Sequence, residues 1–208
     1  MRDLDFPQSS LSVRRQSLCC LAVAVLLLSG CTSAPTRFYV LTPMQAVVAV
    51  DGVEGLSLGI DPLRLPALLD RPHIVTRVDD NERQLAEFAR WAEPLDENMT
   101  RVLAENLSAL LGTEQVVRLP AVRYVRTDQR LAVQVLRFDA TPGETAVLEV
   151  RWRLFDSETG AMQVTRHESF VAELPGNDHG AAVGAMSEAL AALSRAVAAE
   201  LGQGGHGM

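Results

Sequence analysis

Ala146, Leu148, Val150, Trp152 and Leu154 occupy alternate positions, with Glu149, Arg151 and Arg153 between them. Side chains of a strand point to opposite faces in turn, so this stretch reads as a strand with one buried and one wet face. The flanking runs 130–138 and 161–172 connect to it through Thr141-Pro142-Gly143-Glu144 and Ser157-Glu158-Thr159-Gly160, both rich in turn-forming residues, and the three segments predict an antiparallel meander. Its apolar face needs a cover, and two helical patterns supply one. Pro94 opens the first, Asp96 and Glu97 complement its dipole, and Gly112 closes it, with Leu95, Met99, Val102, Leu103, Leu107 and Leu110 on one face. Asn106 falls within that face, where an unpaired amide is costly, and is expected to bond a neighbouring loop backbone. In the second, Val183, Met186, Leu190, Leu193, Val197 and Leu201 form a narrow stripe among alanines that packs on the sheet.

Shorter segments precede the meander. Residues 37–41 read as a strand stopped by Pro43, residues 44–55 as a variable loop, and residues 56–60 as a second strand. Ile74–Val78 and Gln84–Trp91 flank Asp79-Asp80-Asn81-Glu82 as a hairpin. Between the second strand and the hairpin, Pro62, Pro66 and Pro72 exclude both a regular helix and a central strand from residues 61–72, which are expected to form an ordered, exposed crossover. The fold class is therefore α/β: a single domain with a mixed, mostly antiparallel sheet packed with two main helices.

All three cysteines lie within the first 31 residues, so no disulfide or thiolate metal site is available to the rest of the chain. His73, His167, His179 and His206 lack metal-ligand spacing, no nucleophile elbow or phosphate loop is present, and neither catalytic nor metal residues nor a cofactor is assigned. The net charge of −7 argues against nucleic acid as a partner. All 19 basic residues are arginine, and eight fall between residues 118 and 166: Arg118, Arg123, Arg126, Arg130, Arg137, Arg151, Arg153 and Arg166. Two readings of this basic middle stand open, contact with anionic headgroups or an acidic partner, and a solvated face with local ion pairs.

The N-terminus is an address. Arg14 and Arg15 precede an apolar run from Leu18 to Leu28, too short for a membrane span of about 20 residues and suited to a signal core of about 7 to 15. Arg14-Arg15 matches a twin-arginine signal only partly, so the general secretory route is expected. Asp3 and Asp5 are acidic where a signal is basic, and translation is expected to begin at Val13. Leu28-Ser29-Gly30-Cys31 resembles the lipobox of bacterial lipoproteins, with cleavage before Cys31, diacylglyceryl transfer to its thiol and palmitate among the lipid that Cys31 carries. The expected organisation is a signal peptide over 1–30, a lipid-anchored linker over 31–36, the domain over 37–201 and a flexible tail over 202–208. From Thr32 to Thr36 the chain reaches at most about 17 Å, which keeps the domain close to its leaflet. Thr32, and not Asp, follows the cysteine, so the outer membrane is the expected destination, with the domain on its periplasmic face.

Three further stretches carry a family resemblance. Leu58-Gly59-Ile60-Asp61-Pro62-Leu63-Arg64-Leu65-Pro66 with Leu69-Asp70-Arg71-Pro72-His73-Ile74-Val75-Thr76-Arg77, Trp91-Ala92-Glu93-Pro94-Leu95-Asp96-Glu97-Asn98 running into Leu103-Ala104-Glu105-Asn106-Leu107, and Phe38-Tyr39-Val40-Leu41-Thr42-Pro43 resemble the ABC-type transport auxiliary lipoproteins, the family of paraquat-inducible protein C. The resemblance covers nearly the whole mature chain and implies an α/β sandwich with a mixed sheet. It also implies an auxiliary role in a system whose MCE protein, anchored in the inner membrane, moves lipid between the two membranes and supports their integrity. On that reading the domain docks the far end of an MCE tunnel, with assembly into a homo-oligomeric ring. Leu63, Arg64, Leu65, Leu68, Asp70 and Arg71 of the crossover are the candidate contact residues, because prolines fix its shape and little ordering entropy is lost on binding. Against this stands a crossover that only covers the sheet edge, with Asp70 and Arg71 paired. The other functional readings are a lipid carrier with its own pocket and an accessory lipoprotein for assembly or export of another envelope structure.

Overall fold

The structure, a computed structural model, describes residues 34–45, 49, 50, 53, 55–120 and 125–204. Leu28, Ser29, Gly30 and Cys31 lie outside these residues, as does the rest of the expected signal peptide. Its strands are β1 (Arg37–Tyr39), β2 (Leu58–Ile60), β3 (His73–Arg77), β4 (Arg83–Trp91), β5 (Val116–Arg118), β6 (Gln129–Thr141), β7 (Thr145–Asp156) and β8 (Met162–Glu173). Helix α1 (Leu95–Leu111) lies between β4 and β5, and α2 (His179–Gly204) follows β8.

β6 is the spine. One of its edges pairs along its length with β7, which in turn pairs with β8, and this is the expected meander. Along the other edge three pieces follow one another: β2 opposite Gln129 to Leu131, Arg64 of the crossover opposite Gln134, and β3 through Thr76 opposite Ala140. An irregularity between Val135 and Arg137 shifts the phase of β6, so that Leu131, Val133 and Val135 before it and Phe138 and Ala140 after it all face the core. Opposite them lie Leu154, Trp152, Val150, Leu148 and Ala146 of β7, all buried as their alternation requires.

The expectation of a mostly antiparallel sheet is corrected by the pairings. Among the described residues β1–β4, β2–β5, β2–β6 and β3–β6 are parallel, whereas β3–β4, β6–β7 and β7–β8 are antiparallel. The sheet is mixed and curls into a half-barrel. Hairpin turns dictate only the antiparallel contacts. The parallel ones join strands distant in sequence, through connections that carry no turn signature.

Both helices seat on the inner face. α1 starts at Pro94 and ends at Gly112, whose φ of 61° is the left-handed conformation that glycine adopts without a Cβ clash. Leu95, Met99, Val102, Leu103, Leu107 and Leu110 are all buried. α2 packs against α1 and against β6, β7 and β8, which explains why its alanines at 182, 185, 189, 191 and 198 are buried along with its apolar stripe. α2 also meets the length and composition of a membrane span, yet 67% of its apolar window is buried inside the domain, as in a core helix. The helix runs to Gly204, so residues 202–204 of the expected tail are helical.

Candidate functional site

Two places bear on what the domain does: the seat of the N-terminal segment, which leads back toward Cys31, and the crossover with the groove beneath it.

After β1 the chain leaves the sheet and crosses the helices, where no free backbone edge exists. Side chains supply the missing acceptors. The Leu41 N–H donates to Asn98 Oδ1 at 3.2 Å, the Thr42 N–H to Ser187 Oγ at 3.1 Å, and the Met44 N–H to Asn106 Oδ1 at 2.9 Å. Residue 43 is proline and has no N–H to place. Asn106 Nδ2 donates to Ser194 Oγ at 3.1 Å, so this amide bonds a loop backbone as expected and ties α1 to α2 as well. Ser187 and Ser194 are both buried on α2, and their hydroxyls donate to the Val183 and Leu190 carbonyls one turn back. Arg101 reaches the Leu41 carbonyl at 3.4 Å while pairing Glu93 and Glu105, and although its partial burial opposes the charge, bonds to the two carboxylates raise its pKa above the ordinary value.

The crossover behaves as an interrupted strand. The Asp61 N–H donates to the Leu131 carbonyl, Pro62 has nothing to donate, and Arg64 donates to Val133 and accepts from Val135. Its proline spacing thus fits a strand that bonds only where N–H groups remain. Leu63 and Leu69 turn inward and are each 4% exposed. The expectation of an exposed crossover holds only in part, and Leu63 belongs to the core, beyond reach of a partner. Arg64 and Asp70 are exposed, Leu65 is half-buried, and Leu68 is 41% exposed. Asp70 and Arg71 do not pair. Arg71 donates to the Ala67 carbonyl at 3.4 Å, and its Nε is buried without a partner.

Just before β2, a reciprocal clip ties the strand that leads into the crossover to the start of β6. The Ser57 N–H and Oγ donate to Asp128 Oδ2 at 2.8 and 2.6 Å, and the Asp128 N–H donates back to Ser57 Oγ at 2.9 Å. The Ser57 hydroxyl and then its backbone N–H hold the Asp128 carboxyl below its usual range. Beyond the clip a groove of about 520 Å³ opens between the crossover and the wet face of β6 and β7, with Arg64, Arg130, Arg153, Asp61, Gln134 and Phe155 around it.

The arginine-rich middle divides between both readings of its sequence. Arg137 joins Arg77 and Arg83 around the buried Asp139, with nitrogen–oxygen distances of 2.8, 3.2 and 3.2 Å, and Arg166 pairs Glu200 at 2.9 Å. These are internal ion pairs. The Arg153 side chain has no hydrogen-bond or ion-pair partner among the described residues, and Arg130 stands over the Phe155 ring at 4.8 Å with Asp61 at 3.9 Å. Arg123 lies outside the described residues. The sequence puts Arg64 on the crossover and Arg130 and Arg153 on the meander but carries no sign that they meet, because the juxtaposition depends on the parallel pairing of the crossover with β6.

The comparisons decide the family. A model of the ABC-type transport auxiliary lipoprotein component matches residues 39–198. The chain belongs to this family. Its fold is shared with protein XCC0632 of Xanthomonas campestris, at a TM-score of 0.69 and 20% identity over 81% of this chain and 98% of the other. An uncharacterised protein of known crystal structure aligns at a TM-score of 0.66 and 21% identity, over 80% of this chain and 99% of the other. A search of curated proteins returned no match. Membership of this lipoprotein family points to a membrane-anchored place in the cell envelope.

Proposed function

We propose that this auxiliary lipoprotein docks the periplasmic end of an MCE-protein tunnel and ties it to the outer membrane, without catalysing a reaction. The observation that carries the reading is the split between its two ends. The segment nearest the expected lipid cysteine is bonded into both helices, whereas the crossover presents Leu65, Leu68 and Asp70 on a backbone fixed by three prolines and two ladder contacts. A tether has to hold under load, and a docking surface has to be rigid and accessible.

A tunnel end has rotational symmetry, so a ring of copies is the matching assembly. β1, β5 and β8 each leave one edge unpaired among the described residues, and Phe38 on β1 is 66% exposed. Such edges and apolar side chains are what a head-to-tail contact uses.

The test is recovery of the MCE partner from envelope membranes with Leu65→Asp/Leu68→Asp. Leu63 is unsuitable because a charge buried there would destabilise the domain whatever its contacts. Recovery that falls at least about tenfold, with the variant still folded, supports the contact. Undiminished recovery refutes it, and capture of an export or assembly complex in place of an MCE protein favours the accessory reading.

A further inference from the structure

We propose that the groove beneath the crossover binds the phosphodiester of an anionic phospholipid headgroup through Arg64, Arg130 and Arg153. Three arginines line this groove and one acidic residue, Asp61, stands among them. Its carboxylate stands 3.9 Å from Arg130 Nε, outside hydrogen-bond distance. Neither Arg64 nor Arg153 has a side-chain hydrogen bond or ion pair among the described residues. The Phe155 ring holds Arg130 from its face at 4.8 Å, a contact that leaves the N–H donors of the guanidinium unspent. Elsewhere on the sheet Asp139 gathers Arg77, Arg83 and Arg137 and Glu200 takes Arg166, while Arg37, Arg90, Arg118 and Arg151 carry no ion pair among the described residues but do not line the groove. The groove is therefore a place where donors suited to a planar, multiply bonded oxyanion are grouped and left without one.

Size and surroundings narrow the ligand. About 520 Å³ lies within the range of about 300 to 1,000 Å³ usual for small-molecule sites, and a bare phosphate would fill little of it. Ala132 and Phe155 add apolar wall beside the arginines, as the glycerol and ester region next to a headgroup phosphate requires. The crossover bounds one side of the groove through its bonds to β6, and the groove is lined by short stretches of the crossover, β6 and β7 alone, which offers no long track for an extended acidic peptide. In a lipoprotein the most concentrated phosphate near the domain is that of the bilayer. This assignment is independent of the docking reading, whose failure would leave it standing.

The experiment uses the lipidated protein in a nonionic detergent, titrated calorimetrically with dihexanoylphosphatidylglycerol below its micellisation concentration, with inorganic phosphate, and with a hexaglutamate peptide. Phosphatidylglycerol is expected to bind, and Arg153→Gln and Arg64→Gln are each expected to weaken it about tenfold by removing charged hydrogen bonds. Arg195→Gln, which breaks only the α2 pair with Glu188, is expected to leave binding unchanged. Inorganic phosphate binding as tightly as the lipid would overturn the proposal in favour of a free-phosphate site. Tighter binding of hexaglutamate would overturn it in favour of an acidic protein segment. Lipid binding indifferent to both arginine substitutions, or no binding, would refute it outright.

Discussion

The segment from Leu41 to Met44 and the crossover from Asp61 to Pro72 are both irregular, both interrupted by proline and both laid over regular structure, yet they differ in how their polar groups are satisfied. Every N–H that Leu41, Thr42 and Met44 offer meets a helix side chain, and Leu41 is 1% exposed. The crossover satisfies its backbone at Asp61 and Arg64 but leaves Arg71 Nε buried without a partner and the side chain of Arg64 unpaired. Satisfied buried polar groups specify one conformation, whereas unsatisfied ones at a surface are donors awaiting an acceptor. The difference teaches that proline spacing alone does not distinguish a seat from a docking face. What separates them is the layer underneath: two helices bearing Asn98, Asn106, Ser187 and Ser194 in one case, an edge of β6 in the other.

The sharpest contrast is expected inside the crossover. Leu63→Asp places an unpaired charge in the core and should cost about 3–5 kcal/mol, whereas Leu68→Asp should stay within about 0.5 kcal/mol; urea denaturation midpoints of the two variants compare them. Equal losses would break the division of that segment into a buried and an offered side. Next comes the seat. Asn106→Leu strands the Met44 N–H and removes the link to Ser194, for about 1–3 kcal/mol. Asn98→Leu should cost less: the Nδ2 of Asn98 already lacks a partner, and of the two bonds its Oδ1 accepts only that from the Leu41 N–H is left unreplaced, since Arg101 keeps Glu93 and Glu105. Reversal of that order by the same denaturation curves would show that α1 is not the principal clamp. Ser187→Ala removes the acceptor of a single N–H and should cost about 1 kcal/mol. The smallest effect is that of pH at the Ser57–Asp128 clip. The folded carboxyl titrates below its unfolded value, so the clip stabilises fully above the unfolded pKa and its contribution disappears as pH falls through the lower, folded one. Asp128→Asn should flatten the acid limb of a stability profile in that window, and a limb unchanged by the substitution would assign acid sensitivity elsewhere.

Much of the seat is legible in the amino-acid order. Asn106 stands out as an amide on an apolar helical face, and its position demands a backbone partner, which Met44 provides. The face of α1, its Pro94 start and Gly112 stop, the alternation of β7 and the stripe on α2 likewise follow from periods of 3.6 and 2. The crossover is less readable. β2 has three residues, all buried, and no alternation to give a face, and the prolines leave residues 61–72 without a period from which to tell Leu63 from Leu68. The parallel pairing that brings Arg64 beside Arg130 and Arg153 joins residues about 70 apart or more in sequence, and its partner is chosen by the assembled core. Gly202 to Gly204 continue α2 although glycine is a weak helix former, showing how packing of the preceding turns overrides local preference.

On the proposed function, the crossover is the face that meets the transport machinery. A photoreactive residue at position 68, compared in intact cells with one at position 195 on α2, tests this directly. Adducts to an MCE protein from position 68 and none from position 195 are the predicted result. Equal adducts from both, or none from position 68 while the lipoprotein remains anchored and folded, would contradict it.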